Sequence, residues 1–513
     1  MVALFSVATA VALVARRFKV PYTVALVVAG LALGTAHAFE APHLTQELLY
    51  AVFLPGLLFE AAFALEYKKF AASKWAISAL ALPGLVAGIV LTAALLVPIA
   101  GGLHFVDDFR LVDGLVFAAV IAATDPIAVV GLFKSLGAPK RLAVLVEGES
   151  LLNDGTAVVV FTIILGIAAG KPFSLPTAVL DFVRIVGMGV GVGLVLGYAV
   201  SVVIHKVDDP MIEITLTTIA AYGSFVAAEH FHFSGVIATV TAGMLCGNYA
   251  ARSGMSPSTR VAVMTFWEYL AFALNSLVFL LIGFEVKVHA LLEAWLPIVV
   301  AWLAMTAGRA AIVMAVAFLL RRTKEAVPKS WAAVLTWGGL RGGLSMVLVL
   351  GLPPGVPHRS LIQTMTFGVV ILSILVQGLT MGPLLRRLKL VGQSAGDTEY
   401  DRLKGAARGA AAALAELEQM QREGTLHAAV ARELEADFKK RLDDANAAAA
   451  ALHVEKEDLA AAERRAALRR ALAAEKDALL DAHRAGRVST ESLDLLLADV
   501  DARLLQVGQH DGH

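Results

Sequence analysis

Ionised side chains are rare inside the apolar stretches of this sequence, and where they occur they gather. Glu60 lies in FLPGLLFEAAFAL, Asp125 in FAAVIAATDPIAVVGLF, and Glu147, Glu149 and Asp154 in VLVEGESLLNDGTAVVVF; Arg309 lies in WLAMTAGRAAIV and Arg341 in TWGGLRGGLSMVL. A charge at the centre of a bilayer costs at least about 2.5–3.5 kcal/mol, so each of these residues needs a reason to be there. In the EGESLLNDG run, Ser150 and Asp154 are four residues apart and share one helical stripe, with Asn153 beside it. Carboxylate, hydroxyl and carbonyl oxygens are the ligands a hard alkali cation takes, whereas softer metals call for imidazole or thiolate. A carboxylate withdrawn from water also holds a proton more readily, so one group can serve either ion. A structural aspartate hydrogen-bonded between helices is the plainer alternative, and Glu147 fits that alternative as well as a functional role.

Two segments carry the grammar of an interrupted helix. Pro126 removes an amide donor and crowds the preceding turn, which predicts a break near Thr124-Asp125, with a second half-helix starting at the proline under an Asp or Thr cap. A simple proline kink is the alternative. In TWGGLRGG, paired glycines on both sides of Arg341 let the backbone leave helical geometry while the guanidinium faces freed carbonyls. Unpaired backbone at membrane depth is tolerated only against buried protein or a water-filled cavity. Two broken helices at corresponding places in two halves of a chain point to the central site of a transporter.

The elements that must hold these residues follow from composition. The chain has 513 residues, 58% hydrophobic and 17% charged, against about a quarter charged in a soluble domain. Thirteen apolar stretches fall between residues 2 and 385, most of them near the roughly 20 residues a bilayer core requires. The Asp125 stretch is fifth and the Arg341 stretch twelfth, the spacing of two six-helix repeats joined by a linker helix. Lys and Arg in alternate connections number nineteen against four, with Arg110, Lys171, Lys287 and Arg359 as the minority. The positive-inside rule then predicts an outside N-terminus and a cytoplasmic C-terminus. The first stretch has Arg16, Arg17 and Lys19 after it rather than before, the reverse of a cleavable signal.

Residues 1–390 are therefore expected to form a transmembrane domain. Residues 391–513, rich in Ala, Glu, Arg and Leu, are expected to form a cytoplasmic helical tail, a solvated hairpin or coiled coil. The single cysteine, Cys246, excludes an intrachain disulfide and thiolate metal chemistry. A net charge of zero gives no sign of a nucleic-acid partner. No HExxH or GxSxG pattern supports an intramembrane enzyme, and no repeated carbonyl filter supports a channel.

These motifs resemble the monovalent cation/proton antiporters of the CPA1 class, which include bacterial NhaP-type proteins and animal sodium/proton exchangers. The resemblance covers residues 1–390. EGESLLNDGTAVVVF is its most specific part, joined in the right order by LPGLLFEAAF, ATDP, SGVIATVTAGMLCGN and GGLRGG. It implies an all-α membrane fold of about thirteen helices in inverted repeats, with a dimerisation bundle and a core where the broken fifth and twelfth helices cross. It further implies that Asp154 alternately binds cation and proton, with Asn153 as its structural neighbour. Ser150, the Thr124 carbonyl, Glu60 and Asp125 would complete the cation site, Asp125 directly or through water. Glu149 and Arg309 would form a structural ion pair, and Arg341 would compensate the helix ends at the crossing. The implied activity is exchange of Na+ (or Li+ or K+) for H+ by alternating access in the cell (inner) membrane, serving pH and salt homeostasis. No cofactor is expected beyond the transported ions, the Asn-Asp pair implies electroneutral exchange, and a homodimer is expected. A potassium-selective antiporter of the same fold is the alternative.

Overall fold

A computed structural model of the chain describes residues 2–18, 21–36, 45–103, 108–251 and 254–390, most of 394–455, and isolated positions between 468 and 503. Among the basic residues that set the expected orientation, Lys19 and Arg252 lie outside the described residues, as do the side chains of Arg16 and Lys134. So does most of the tail beyond residue 455. The described residues form helices and no strand. The chain divides into two compact units, Met1–Val391 and Gly392–His513.

In chain order the principal helices of the first unit are α1 (Val2–Phe18), α2 (Tyr22–Thr35), α3 (Leu49–Ala64), α4 (Lys74–Gly102), α5 (Leu111–Val120), α6 (Ile127–Leu136), α7 (Lys140–Ala168) and α8 (Leu175–Ile204). They continue as α9 (Pro210–His230), α10 (Gly235–Leu245), α11 (Pro257–Glu285), α12 (Trp295–Leu320), α13 (Lys329–Trp337), α14 (Gly343–Leu350) and α15 (Arg359–Arg387). Seven of these, α4, α7, α8, α9, α11, α12 and α15, are long and apolar enough to cross a membrane.

The helix starts follow local chemistry. Asp209 caps α9 by accepting from the amides of Met211 (2.8 Å) and Ile212 (3.1 Å), with Pro210 in the first turn, where its missing N–H costs nothing. Ser256 and Pro257 open α11 in the same way. Packing between spans uses small residues: Gly189, Gly193 and Gly197, one turn apart on α8, are buried against α10.

Both expected interruptions are present. α5 ends at Val120 and α6 begins at Ile127; α13 ends at Trp337 and α14 begins at Gly343. α5 and α6 have ten residues each. At about 1.5 Å per residue each is about 15 Å long, half of a hydrocarbon core of about 30 Å, which puts the first break near mid-membrane. Pro126 occupies the cap position rather than the first helical turn, and the Asp125 carboxylate accepts from Ile127 N (3.0 Å). At its far end α6 stops on Gly137 in the left-handed conformation (φ 68°), the usual way to turn a chain out of a helix.

The second unit contains α16 (Ser394–Arg422) and α17 (Ala428–Glu455), two helices that pack on each other with Tyr400 and Ala449 buried between them.

Candidate functional site

The two interruptions lie against each other. Asp125 N donates to Leu340 O (2.7 Å), joining the unwound segment after α5 to the one after α13. The approach is close enough that a Cβ on Gly342 would stand 2.2 Å from Asp125 Oδ2, so only glycine admits the carboxylate there. Arg341, 5% exposed, reaches across the crossing and donates through Nη1 to Ala122 O (2.5 Å) and Ala123 O (3.1 Å). These carbonyls follow the C-terminus of α5, where the helix dipole is negative and a cation is favoured. Arg341 Nε also meets Met305 Sδ at 3.1 Å.

α7 runs beside this crossing and holds it with its own polar stripe. Ser150 Oγ donates to Thr124 O, and Asn153 Nδ2 donates to Ala122 O and to Thr124 Oγ1, both at 3.2 Å. The carbonyls freed by the first break are thus taken up by α7 and by Arg341, as buried backbone requires. One turn earlier, Glu149 receives a two-pronged contact from Arg309 of α12, Nη1 to Oε1 and Nη2 to Oε2, each 2.9 Å. Arg309 Nε donates to Leu335 O of α13 (2.9 Å), so one guanidinium links three elements. Gly339 makes room for it, since a Cβ there would lie 2.3 Å from Arg309 Nε.

Asp154, one turn beyond Ser150, faces a cavity of about 370 Å³. Glu60 of α3, Asp125, Glu147, Thr124 and Ser150 line the same cavity. Among the described residues, four carboxylates and no Lys or Arg stand on its wall. Asp154 Oδ1 and Asn153 Oδ1 are buried without a hydrogen-bond partner. The carboxylates surround the space rather than converge on one point: among the described residues no three His, Cys, Asp or Glu side chains gather as they would for a resident metal ion. Glu60 also lines a second cavity, of about 190 Å³, with Glu66, Asn248, Arg260 and Glu268.

The structure therefore brings Glu60, Thr124, Asp125, Ser150 and Asp154 to one cavity, and sets Glu149, Arg309 and Arg341 behind it, with Asn153 at the junction. Sequence reasoning did not assign Glu147, Asn275 of α11 or Ser345 of α14 to this wall. The signal for the last two was a lone polar residue in an apolar run, which does not tell one helix face from another. Glu213, near the start of α9, is 0% exposed, and neither of its oxygens has a hydrogen-bond partner among the described residues.

Comparison with known proteins gives a consistent picture. A family model described as sodium/hydrogen exchanger, transmembrane, matches residues 2–387. The chain is 38% identical over 407 residues to the low-affinity Na(+)/H(+) antiporter NhaS1 of Synechocystis, covering 78% of this chain and 76% of that one. It is 42% identical over 357 residues to the Na(+)/H(+) antiporter NhaP of Pseudomonas aeruginosa, covering 67% and 81%. The solved structure of the sodium proton antiporter MjNhaP1 of Methanocaldococcus jannaschii superposes with a TM-score of 0.60 at 18% identity, covering 75% of this chain and 97% of that one.

Proposed function

The chain belongs to the sodium/hydrogen exchanger family, and from that premise we propose that Asp154 is the carboxylate on which Na+ and H+ compete during exchange. It is a multi-pass membrane antiporter of sodium and protons, and sodium is favoured over potassium as the cation. One observation carries the assignment of the site: an Asp154 oxygen without a hydrogen-bond partner among the described residues faces a cavity that Glu60, Asp125 and Glu147 also line. A carboxylate this enclosed, with others on the same wall, stays ionised only against a cation and otherwise holds a proton. Glu149 and Arg309 neutralise each other, and the Arg341 guanidinium, held by carbonyl oxygens, offsets only part of the charge that Asp154, Asp125 and Glu149 place around it.

In this reading Na+ binds to Asp154 and Glu60, with Ser150 Oγ, the Thr124 carbonyl and, directly or through water, Asp125 as further oxygen donors. Ser150 now donates to Thr124 O, and a small hydroxyl rotation would turn its lone pairs to a cation. Asn153 acts from outside the ligand set: its amide holds the Ala122 and Thr124 oxygens and so sets the mouth of the broken helix. The Glu149–Arg309 pair and Arg341 fix the charge balance and spacing of the crossing. Exchange proceeds by alternating access, with the crossing and α7 exposed to one side at a time. A carboxylate carries one ion or the other, so cation efflux is coupled to proton entry, one for one and without net charge. The unit operates as a homodimer in the cell (inner) membrane, with its N-terminus outside and its tail cytoplasmic, in pH and salt homeostasis, with no cofactor beyond the transported ions.

Proteoliposomes carrying purified Asp154→Asn protein test this reading. A sodium gradient is expected to drive no proton movement in the variant, while its elution profile stays that of the wild type. Exchange at the wild-type rate would remove Asp154 from the mechanism. A current proportional to the sodium gradient in wild-type vesicles would remove one-for-one exchange.

A further inference from the structure

Away from the Asp154 cavity, α12, α13 and α15 enclose a surface groove of about 920 Å³. Its walls are apolar along most of their length: Met314 and Phe318, each 61% exposed, and Trp337 contribute much of the surface. One end is different. Arg321 directly follows α12, Lys329 is the first residue of α13 and Arg387 is the last of α15, so three helix ends bring three cations to the same groove. Among the described residues no Asp or Glu lines it. Glu325, the carboxylate in the connection between α12 and α13, is 8% exposed and accepts from Ala76 N (2.9 Å), so it is engaged elsewhere. The Arg321 guanidinium lies over the Phe318 ring at 4.0 Å, at the boundary of the basic and apolar parts.

The dimensions match one leaflet. Ala310, at the apolar end, is eleven residues before Arg321 on the same course of chain. At about 1.5 Å per residue this is about 16 Å, half of a hydrocarbon core of about 30 Å. A groove of that depth, apolar inside and basic at the level of the headgroups, has the shape and charge of a phospholipid. A polar helical tail would leave its apolar wall unfilled.

We propose that this groove binds one anionic phospholipid, its phosphate held by Arg321, Lys329 and Arg387 and an acyl chain laid along Met314 and Phe318 towards Trp337. α12 carries Arg309 and α13 is the first half of the second interrupted helix, so the bound lipid braces the elements behind the crossing. The site is independent of the ion assignments above.

The test offers detergent-purified protein equimolar phosphatidylglycerol and phosphatidylcholine of identical acyl chains and reads the retained lipid by native mass spectrometry. Each basic side chain near an anionic headgroup contributes about fivefold, so phosphatidylglycerol is expected to be preferred by at least about that factor. The triple variant Arg321→Gln/Lys329→Gln/Arg387→Gln is expected to lose the preference. Ala333→Trp, which fills the groove and leaves all three charges, is expected to lower phosphatidylglycerol retention as well. If the triple variant fails to fold, each single substitution is expected to lower the preference severalfold. Equal retention of the two lipids by the wild type, or a preference unchanged in the charge variants, would overturn the proposal. Retention unchanged in Ala333→Trp, or displacement of the lipid by chain-free glycerol phosphate, would reduce the groove to a basic patch for small anions and overturn it too.

Discussion

Breaking the Glu149–Arg309 pair from one side is the sharpest probe of how the site is built. In the native structure the Glu149 side chain is 3% exposed and that of Arg309 13%, with two contacts of 2.9 Å between them. Arg309→Gln leaves a carboxylate enclosed without its counter-charge, which costs about 3–5 kcal/mol. It also frees the Leu335 carbonyl, a further loss of about 1 kcal/mol. Glu149→Gln leaves an arginine that keeps its bond to Leu335, so its cost should fall about 1 kcal/mol below that of Arg309→Gln. The double variant has no unpaired charge. Because neutral replacement of a buried pair is often close to energetically even, it should recover most of the loss, apart from the Leu335 bond. Equilibrium unfolding of the four proteins in mixed micelles gives the cycle directly. On these costs the double variant should be about 6–10 kcal/mol more stable than the sum of the two singles implies. Singles as stable as the wild type, or a double variant that loses the sum of the singles, would refute the pair as the link between α7, α12 and α13.

Two further predictions address the crossing and the ion competition. Gly342→Ala places a Cβ 2.2 Å from Asp125 Oδ2, so the two interruptions must separate; exchange in proteoliposomes should fall at least tenfold, whereas Gly88→Ala on α4, whose Cβ meets nothing within 4 Å, should leave it unchanged. Because a proton and Na+ compete for one carboxylate, the sodium concentration for half-maximal exchange should rise as pH falls. In the range where the carboxylate is mostly protonated the rise approaches tenfold per pH unit, and a pH-independent value would argue against shared binding.

The parts legible in the sequence were those decided within one or two helical turns. Ser150 and Asp154 share a stripe, with Asn153 beside it, because a helix places positions four apart together. The interruptions could be read because Pro126 cannot donate and the glycines around Arg341 relax the backbone there. The start of α6 was read one residue early: Pro126 takes the cap position and the helix begins at Ile127.

What local pattern could not supply was partnership between distant segments. Which carbonyls Arg341 meets follows from the way α13 and α14 cross α5 and α6, a placement 218 or more residues removed in sequence. Asn275 and Ser345 reach the cavity wall, and Glu213 does not reach the surface, because of how α11, α14 and α9 are rotated about their axes. A uniformly apolar span carries little periodicity from which such rotation could be read, since lipid and protein interior both accept the same side chains. The sequence by itself determined that the chain lies in a membrane, that charge collects in a few helices and that two of them are interrupted, all consequences of the cost of polar groups in hydrocarbon. Only the tertiary structure decided which oxygen atoms face one cavity, because that depends on contacts between helices far apart along the chain.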